Sequence, residues 1–278
     1  MTFTQPGIKN KIANRLPRHE LPTMYDLPSE FPEESGLPDV FHQSQPELLG
    51  LSLALPDYTN EEYFTGSDLN VYYDLEHPLW HKRPDWFLAV GVPPLYESRD
   101  MRLSYVTWQE AANPYLVVEL ISPGTEDEDL GQTTSKPGSP PVKWTVYEQI
   151  LRVPYYVVFN RYTDELKVYK LEAGVYQRQT LLGNRFWLPE LKIGIGLWHG
   201  IYRQGNLRLW LRWYGEDGDW LPTEAENARQ EAEAEKQRAE AEKQRAEAEE
   251  QRANAAEEKL AALQAQLRRQ GVDPDTLL

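Results

Sequence analysis

The stretch 114–131, "PYLVVELISPGTEDEDLG", places one acidic residue, Glu119, inside a continuous apolar run. Residues 115–121 otherwise have the pattern of a strand that is buried on both faces. A carboxylate in such a strand costs several kcal/mol of folding free energy unless a partner compensates its charge. Two interpretations follow: the strand lies at a sheet edge with Glu119 in water, or Glu119 points inward to bind something.

Composition limits the class of protein. The 278 residues are 40% hydrophobic and include nine tryptophans, which supports a real core. The absence of cysteine excludes a disulfide framework and a thiolate zinc site, and it favours a reducing, cytoplasmic location. We find no signal-peptide pattern and no apolar run long enough to span a bilayer, so no membrane association is expected. The net charge of −15 argues against a general nucleic-acid coat but leaves room for a local basic cleft.

Composition also divides the chain into four predicted segments. Residues 1–64 are rich in proline and are predicted to form an extended arm packed on the core, with a disordered tail as the alternative for the first 20 residues. Residues 65–222 carry many strand patterns and one helical pattern, at 141–152, which predicts a mixed α/β domain. Residues 223–271 form a charged heptad-repeat helix, and 272–278 form a short tail.

The strand patterns of the central segment are separated by Gly, Pro, Asn and Asp. They are "DLNVYYD", "WFLAVG", "LSYVTW", "YLVVELI", "YYVVFN", "LKVYKL", "GVYQRQTL" and "LRLWLRWY". The turns between the strands of 155–182 are short enough for hairpins, so this part is predicted to be an antiparallel meander.

The C-terminal helix has clear start and stop signals. Thr223 and Glu226 have capping-box spacing, and Gly271 with Pro274 supplies the stop. Its charge pairs suit a solvated single helix as well as a coiled coil. Only its last part carries an apolar seam with heptad spacing, which predicts a projecting helix whose last turns self-associate into a homo-oligomer. A helix folded back on the domain is the alternative. The seam consists of Ala253, Ala256, Leu260, Leu263 and Leu267.

A second carboxylate precedes the strand of Glu119. Asp85 follows Pro84 and comes directly before the short apolar strand "WFLAV". Two carboxylates delivered by neighbouring strands suit a hard divalent cation such as Mg²⁺. Lys143, near the start of the helix at 141–152, could stabilise negative charge on a phosphate.

The motifs that follow Glu119 resemble those of the Uma-type family of restriction-endonuclease-like proteins. The family signature is an apolar strand ending in Glu-x-x-Ser-Pro, then an aspartate, a lysine four residues before a tyrosine, and a hydrophobic strand. The matching residues are Glu119, Ser122, Pro123, Asp129, Lys143 and Tyr147, followed by the strand 155–160. The resemblance covers about 65–200. It implies a restriction-endonuclease-like core of the PD-(D/E)XK superfamily, with Asp85, Glu119 and a lysine as catalytic residues.

The sequence departs from this pattern at the lysine. The superfamily places it two residues after the acid, where this chain has Ile121. The resemblance suggests that Lys143 reaches the same space from the helix, with Lys136 in the long segment 129–143 as the alternative. The family's acidic first helix is not evident in the first 64 residues. Asp68 is a candidate for an extra acid, and Asp129 for a pairing partner of a nearby base.

The resemblance implies an endonuclease that hydrolyses phosphodiester bonds in DNA with Mg²⁺ or Mn²⁺. Asp85, Glu119 and the backbone carbonyl of Leu120 are then the expected metal ligands, and Lys143 is the residue that stabilises developing charge. The alternative is a non-catalytic interaction module in which the nuclease site is vestigial and the C-terminal helix recruits a partner. The displaced lysine and the acidic net charge favour this alternative, whereas the intact carboxylates favour the enzyme.

Overall fold

The structure, a computed structural model, describes residues 39–122, 124, 126–136, 138–203 and 207–271. Its contacts divide the chain into two compact units, Met1–Leu221 and Pro222–Leu278. In the described ranges, no helix combines the length and the apolar character needed to cross a membrane.

The first unit contains strands and short helices in alternation. The strands are β1 (Tyr63–Gly66), β2 (Val71–Tyr72), β3 (His81–Lys82), β4 (Trp86–Val90), β5 (Tyr105–Val106), β6 (Leu116–Leu120), β7 (Tyr155–Asn160), β8 (Glu165–Glu172), β9 (Val175–Arg178), β10 (Arg185–Leu188), β11 (Ile193–Gly200) and β12 (Arg208–Tyr214). The helices are α1 (Val40–Leu51), α2 (Glu126–Asp129) and α3 (Lys143–Thr145), which continues as a π-helix (Val146–Ile150).

The main sheet is mixed, as the sequence predicts. Its strand order is β1-β4-β6-β7-β8-β9, and two three-stranded sheets, β10-β11-β12 and β3-β2-β5, accompany it. Only the central pair of the main sheet, β6 and β7, runs parallel; the other pairs are antiparallel. The predicted meander over 155–182 is confirmed, because β7, β8 and β9 pair consecutively in antiparallel order.

Strand β6 lies at the centre of this sheet and is buried on both faces. Leu116, Val118 and Leu120 belong to one core cluster, and Val117 and Ile121 belong to the other. Alternate residues of a strand point to opposite faces, so the Glu119 side chain points to the face of Val117 and Ile121. The edge-strand interpretation of Glu119 is therefore wrong: Glu119 is 1% exposed.

The extended conformation predicted for residues 1–64 is wrong where α1 forms. Asp39 caps α1 by accepting hydrogen bonds from the backbone N–H groups of Phe41 and His42. Phe41 and Leu48 lie on one face of the helix and are buried, and burial of this face together with the cap outweighs Pro46 inside the helix. The first 38 residues of the predicted arm lie outside the described residues.

Helix α1, near the start of the first unit in sequence, packs against β12, the last strand of that unit. The Gln45 side chain makes two hydrogen bonds to the backbone of Leu211 in β12, at 2.9 and 2.8 Å. The indole N–H of Trp213 donates to the carbonyl of Leu49 at 2.8 Å. Phe41 stacks on Trp210, with ring centroids 5.5 Å apart. These contacts fix α1, and with it Asp39 and His42, against the three-stranded sheet β10-β11-β12.

Helix α3 is shorter and wider than the sequence predicts. It begins at Lys143 rather than at 141, and after one turn it changes to the π-helix Val146–Ile150. π-helical turns are rare and occur frequently at functional sites. Lys143 and Tyr147, four residues apart, project on the same side of this helix.

The second unit is dominated by α4 (Glu224–Arg269), a helix of 46 residues. The predicted capping box of Thr223 and Glu226 is present, and Gly271 follows the helix with a φ of +80°. Leu260 and Leu263 of the apolar seam are more than half exposed. Self-association through this seam stays a prediction, and Pro274 lies outside the described residues.

Candidate active site

Both carboxylate oxygens of Glu119 have partners from α3 and its π-helical continuation. The Lys143 ammonium donates to Oε2 at 3.0 Å, and the Tyr147 hydroxyl donates to Oε1 at 2.8 Å. The sequence predicts Lys143 as a site residue, and the structure brings it to Glu119. Tyr147 is fully buried and orients the carboxylate.

Asp129 is the second acid that contacts Lys143. It is 1% exposed, and its Oδ1 accepts from the Lys143 ammonium at 2.8 Å. Its carbonyl accepts from the buried Tyr156 hydroxyl at 2.9 Å, which fixes α2 above the sheet. Gly131, with φ +72°, lets the chain approach Trp144 so closely that a Cβ would lie 2.6 Å from the ring. This close packing keeps α2 beside α3.

Asp85 reaches the same cluster from β4, the antiparallel neighbour of β6. Its Oδ2 accepts from the backbone N–H of Leu120 at 2.6 Å. Burial raises the pKa of Asp85 above its usual value, although the charge of Lys143 and the Leu120 hydrogen bond act in the opposite direction. Asp85 and Glu119 are therefore delivered by adjacent strands, as the sequence predicts.

Acidic groups outnumber the lysine in this cluster. Burial raises the pKa of Glu119 well above its usual value; the charge of Lys143 opposes this rise, and the charges of Asp85 and Asp129 add to it. Burial lowers the pKa of Lys143, but the charges of Glu119, Asp129 and Asp85 exceed that effect and raise it. Lys143 is thus a firmly held cation that three carboxyl groups surround.

Sequence reasoning missed two residues that lie beside this cluster, His42 and Arg161. His42 Nε2 contacts the Leu120 carbonyl at 3.1 Å and the Ser122 hydroxyl at 3.0 Å, and its Nδ1 contacts Asp39 at 2.9 Å. Arg161 pairs with the other oxygen of Asp39. The signal in the sequence was the Asp-x-x-His spacing, which places a capping aspartate and a histidine on the same first turn.

The Leu120 carbonyl, a predicted metal ligand, therefore contacts His42. A carbonyl and a carboxylate only accept hydrogen bonds, so His42 donates from both ring nitrogens in this arrangement. Burial lowers the pKa of His42, but the Asp39 hydrogen bond and the charges of Asp85 and Asp39 raise it above 6.5. A second cation thus lies close to the acidic cluster.

Asp39 is expected to stabilise the fold through its negative charge. Burial raises its pKa, but hydrogen bonds from His42 and the charges of His42 and Arg161 lower it to about 2. Because the folded pKa is depressed, this stabilisation is present above pH 3.8 and is lost as the pH falls towards 2. Asparagine caps helices as well as aspartate does. Asp39→Asn should therefore lower the free energy of unfolding by about 1 kcal/mol at pH 6, after discounting for partial exposure.

Urea denaturation of wild type and Asp39→Asn at pH 6, 4 and 2.5 measures this difference, which should shrink at the lowest pH. Asp74→Asn is a matched control, since Asp74 has the same spacing to His77 but pairs with it at the surface. A difference between wild type and Asp39→Asn that persists unchanged at pH 2.5 would show that the charge of Asp39 is not responsible.

Two secondary candidates from the sequence do not join the cluster. Asp68 lies at the surface in an ion pair with Arg83 at 2.6 Å and has a φ of +52°, as a turn residue. Lys136 is exposed, and its carbonyl accepts hydrogen bonds from Ser139.

The donor atoms of the cluster fit a hard divalent cation in their chemistry. Asp85 and Glu119 supply carboxylate oxygens, and Leu120 supplies a carbonyl oxygen, the ligand types that Mg²⁺ and Mn²⁺ prefer. The number of carboxyl groups, three around one lysine, is the second point of fit. Among the described residues, no three acidic or histidine side chains are arranged as a metal-binding group. A cation here would therefore rely on two carboxylates and the main chain.

Comparison with known proteins agrees with the resemblance of the motifs. The model of the Uma2 family, described as "Putative restriction endonuclease", matches residues 14–203. No curated protein matches the chain. A crystal structure described as a "putative nuclease belonging to DUF820", from Anabaena variabilis, is similar with 10% sequence identity and a TM-score of 0.40, covering 57% of this chain and 77% of that one. Since the family model spans more than half of the sequence, the chain belongs to the Uma2 family of restriction-endonuclease-like proteins.

Proposed function

We propose that this protein is a metal-dependent endonuclease of the PD-(D/E)XK type that hydrolyses phosphodiester bonds in DNA. The observation that carries the proposal is the cluster of Asp85, Glu119 and Lys143 on adjacent elements of the sheet and α3. Asp129 adds a further carboxylate to this cluster. The family membership supports a nuclease, and the two carboxyl groups delivered by adjacent strands support the metal dependence.

In this proposal Asp85, Glu119 and the Leu120 carbonyl hold Mg²⁺ or Mn²⁺. When bound, the cation lowers the pKa of water and polarises the scissile phosphate. The carboxylates are positioned in advance: Asp85 by the Leu120 N–H, and Glu119 by the Tyr147 hydroxyl. Such fixed partners reduce the reorganisation that binding requires.

Lys143 has the chemistry to stabilise negative charge on the phosphate. Its pKa is raised by the surrounding acids, so it stays protonated at neutral pH and serves as an electrostatic group rather than as a base. In the structure it is bound to Glu119 Oε2 and Asp129 Oδ1. A cation that binds Glu119 competes with Lys143 for this oxygen, while Asp129 remains available to hold the lysine beside the site.

A cleavage assay with Asp85→Asn tests the proposal. Wild type should convert supercoiled or linear duplex DNA to shorter products with Mg²⁺ or Mn²⁺ and not with EDTA. Asp85→Asn should reduce the rate by about a hundredfold or more, because removing a ligand charge weakens the metal-based stabilisation of the transition state. Asp68→Asn is the matched control: this exposed aspartate pairs with Arg83, so its loss should leave cleavage unchanged.

Equal cleavage by wild type and Asp85→Asn would contradict the assignment of the acid. Melting curves of both variants should accompany the assay, so that a loss of folded protein is not taken for a loss of catalysis.

The alternative, a non-catalytic interaction module, has one structural observation in its favour. Both Glu119 oxygens are already paired, with Lys143 and Tyr147, and this pairing is what a purely structural cluster would show. The long α4 then supplies the partner-binding surface. Wild type that binds metal but cleaves neither duplex, single-stranded nor branched DNA would favour this alternative.

A further inference from the structure

Two arginines, Arg161 and Arg208, lie beside the same aromatic ring, that of Phe41. The Arg208 guanidinium lies 4.5 Å from the centre of the Phe41 ring, and that of Arg161 lies 5.1 Å from it. Arg208 also lies 5.4 Å from the Trp210 ring, and Arg161 lies 4.7 Å from the Tyr162 ring. Aromatic rings thus fix the position of both cations.

Arg208 has no ion pair and no hydrogen bond in the described part of the chain, and its half-buried guanidinium lies over the Phe41 and Trp210 rings. Burial and the charge of Arg161 lower the pKa of Arg208, while the charges of Asp164 and Asp39 act in the opposite direction. The Nε atoms of both arginines are buried, so only the outer guanidinium nitrogens are candidates to meet a ligand. Two guanidinium groups whose charges repel each other are suited to share one anion.

The position of this pair connects it to the proposed catalytic cluster. Arg161 directly follows β7, whose carboxyl end lies beside that of β6, because the two strands are parallel. Arg161 also pairs with Asp39, which contacts His42, and His42 contacts the Leu120 carbonyl. An anion held by the two arginines would therefore lie at the end of the sheet where β6 and β7 terminate.

We infer that Arg161 and Arg208 bind a backbone phosphate of the DNA strand, one that is not the scissile phosphate. Guanidinium groups match phosphate oxygens in planar, two-pronged geometry. With a net charge of −15, the chain needs such local cations to hold DNA against its own acidic surface. The inference rests on the proposed nuclease function, to which it adds a substrate contact outside the reaction centre.

The test measures DNA binding apart from cleavage. The full chain is titrated onto a fluorescein-labelled duplex in EDTA, and anisotropy is followed between about 50 and 200 mM salt. Arg208→Gln should weaken binding about tenfold at the lowest salt and reduce the salt dependence by about one counterion. Arg208→Lys should keep the salt dependence of wild type, because it keeps the charge.

Arg185 provides the matched control. It also lies over two rings, Tyr214 at 4.9 Å and Trp220 at 4.1 Å, but it donates to the Gly218 carbonyl at 2.6 Å. Arg185→Gln should leave DNA affinity unchanged. The melting temperature of Arg208→Gln should fall no further than that of Arg185→Gln, because each variant removes one guanidinium that lies over two rings.

The inference would be overturned if Arg208→Gln bound DNA as tightly as Arg185→Gln does. It would also be overturned if the wild-type protein did not bind DNA. If wild type cleaves DNA and Arg208→Gln binds DNA as tightly as wild type, only the phosphate site is overturned. The nuclease proposal then stays intact. The expected loss of binding in Arg208→Gln, without cleavage by wild type, supports the phosphate site while the nuclease proposal fails.

Discussion

Lys143→Ala should lower the free energy of unfolding of the metal-free protein by about 3–5 kcal/mol and abolish metal-dependent cleavage. The lysine is the cation in direct contact with both Glu119 and Asp129, each 1% exposed. Removing one partner of a buried ion pair leaves uncompensated charge, which is far more costly than losing a surface pair. Cleavage is lost because Lys143 is the group that stabilises charge on the phosphate in the proposed mechanism.

Metal should rescue the stability of Lys143→Ala but not its activity. A divalent cation replaces the missing positive charge, so Mg²⁺ or Mn²⁺ should raise the melting temperature of the variant more than that of wild type. Urea denaturation with EDTA and with metal measures the first effect, and a plasmid cleavage assay measures the second.

Lys192→Ala and Lys136→Ala are the controls for this prediction. Lys192 pairs with Asp57 at the surface and Lys136 is exposed, so both variants should keep near wild-type stability and cleavage. Cleavage that survives in Lys143→Ala but is lost in Lys136→Ala would move the catalytic role to the loop.

Glu119→Gln should abolish cleavage and metal-induced stabilisation without destabilising the metal-free protein. Glutamine keeps the size of the side chain and an acceptor for the Tyr147 hydroxyl, and Lys143 keeps its ion pair with Asp129, so no buried charge loses its last partner. The folded pKa of Glu119 is raised above 4.5, so its ionisation costs stability as the pH rises above 4.5, and glutamine removes this cost. The variant should thus equal or exceed wild type in EDTA at pH 7, and the difference should shrink towards pH 4.

The lost ligand charge is expected to reduce the cleavage rate about a thousandfold or more. Glu190→Gln is a matched control: Glu190 likewise accepts from a tyrosine, Tyr155, and a lysine, Lys170, but it is partly exposed. It should show wild-type cleavage and the wild-type response to metal. Identical melting curves of wild type with metal and with EDTA would remove the metal site from the proposal.

The central sheet was predictable because its strands are short, apolar and separated by turn residues. The sequence also identified Glu119, since a carboxylate inside a buried strand needs a compensating partner. The compensating partner predicted for Glu119 was a metal cation, and the lysine of the site could be narrowed only to Lys143 or Lys136, because the path of the chain from 129 to 143 depends on tertiary packing. Gly131 and Trp144 determine that path through a close contact that has no periodic signature.

Helix α1 was not predictable by the same means. The first 64 residues are rich in proline, which disfavours a helix. Local sequence patterns therefore did not predict that Phe41, Leu48 and Leu49 form a buried helix face. Their burial depends on β12, far away in the sequence. His42 was missed for this reason: its role depends on the docking of α1 and not on any spacing among the histidines.

The docking of α1 onto β12 also has a consequence for the order of events during protein synthesis. Gln45 and Leu211, which bond to each other twice, are separated by 166 positions. Contacts of such separation form late, because the intervening chain must first be ordered. A chain still emerging from the ribosome cannot place His42 against Leu120 in this way before β12 has been translated. The growing polypeptide therefore carries an incomplete centre until almost the entire first unit has been made.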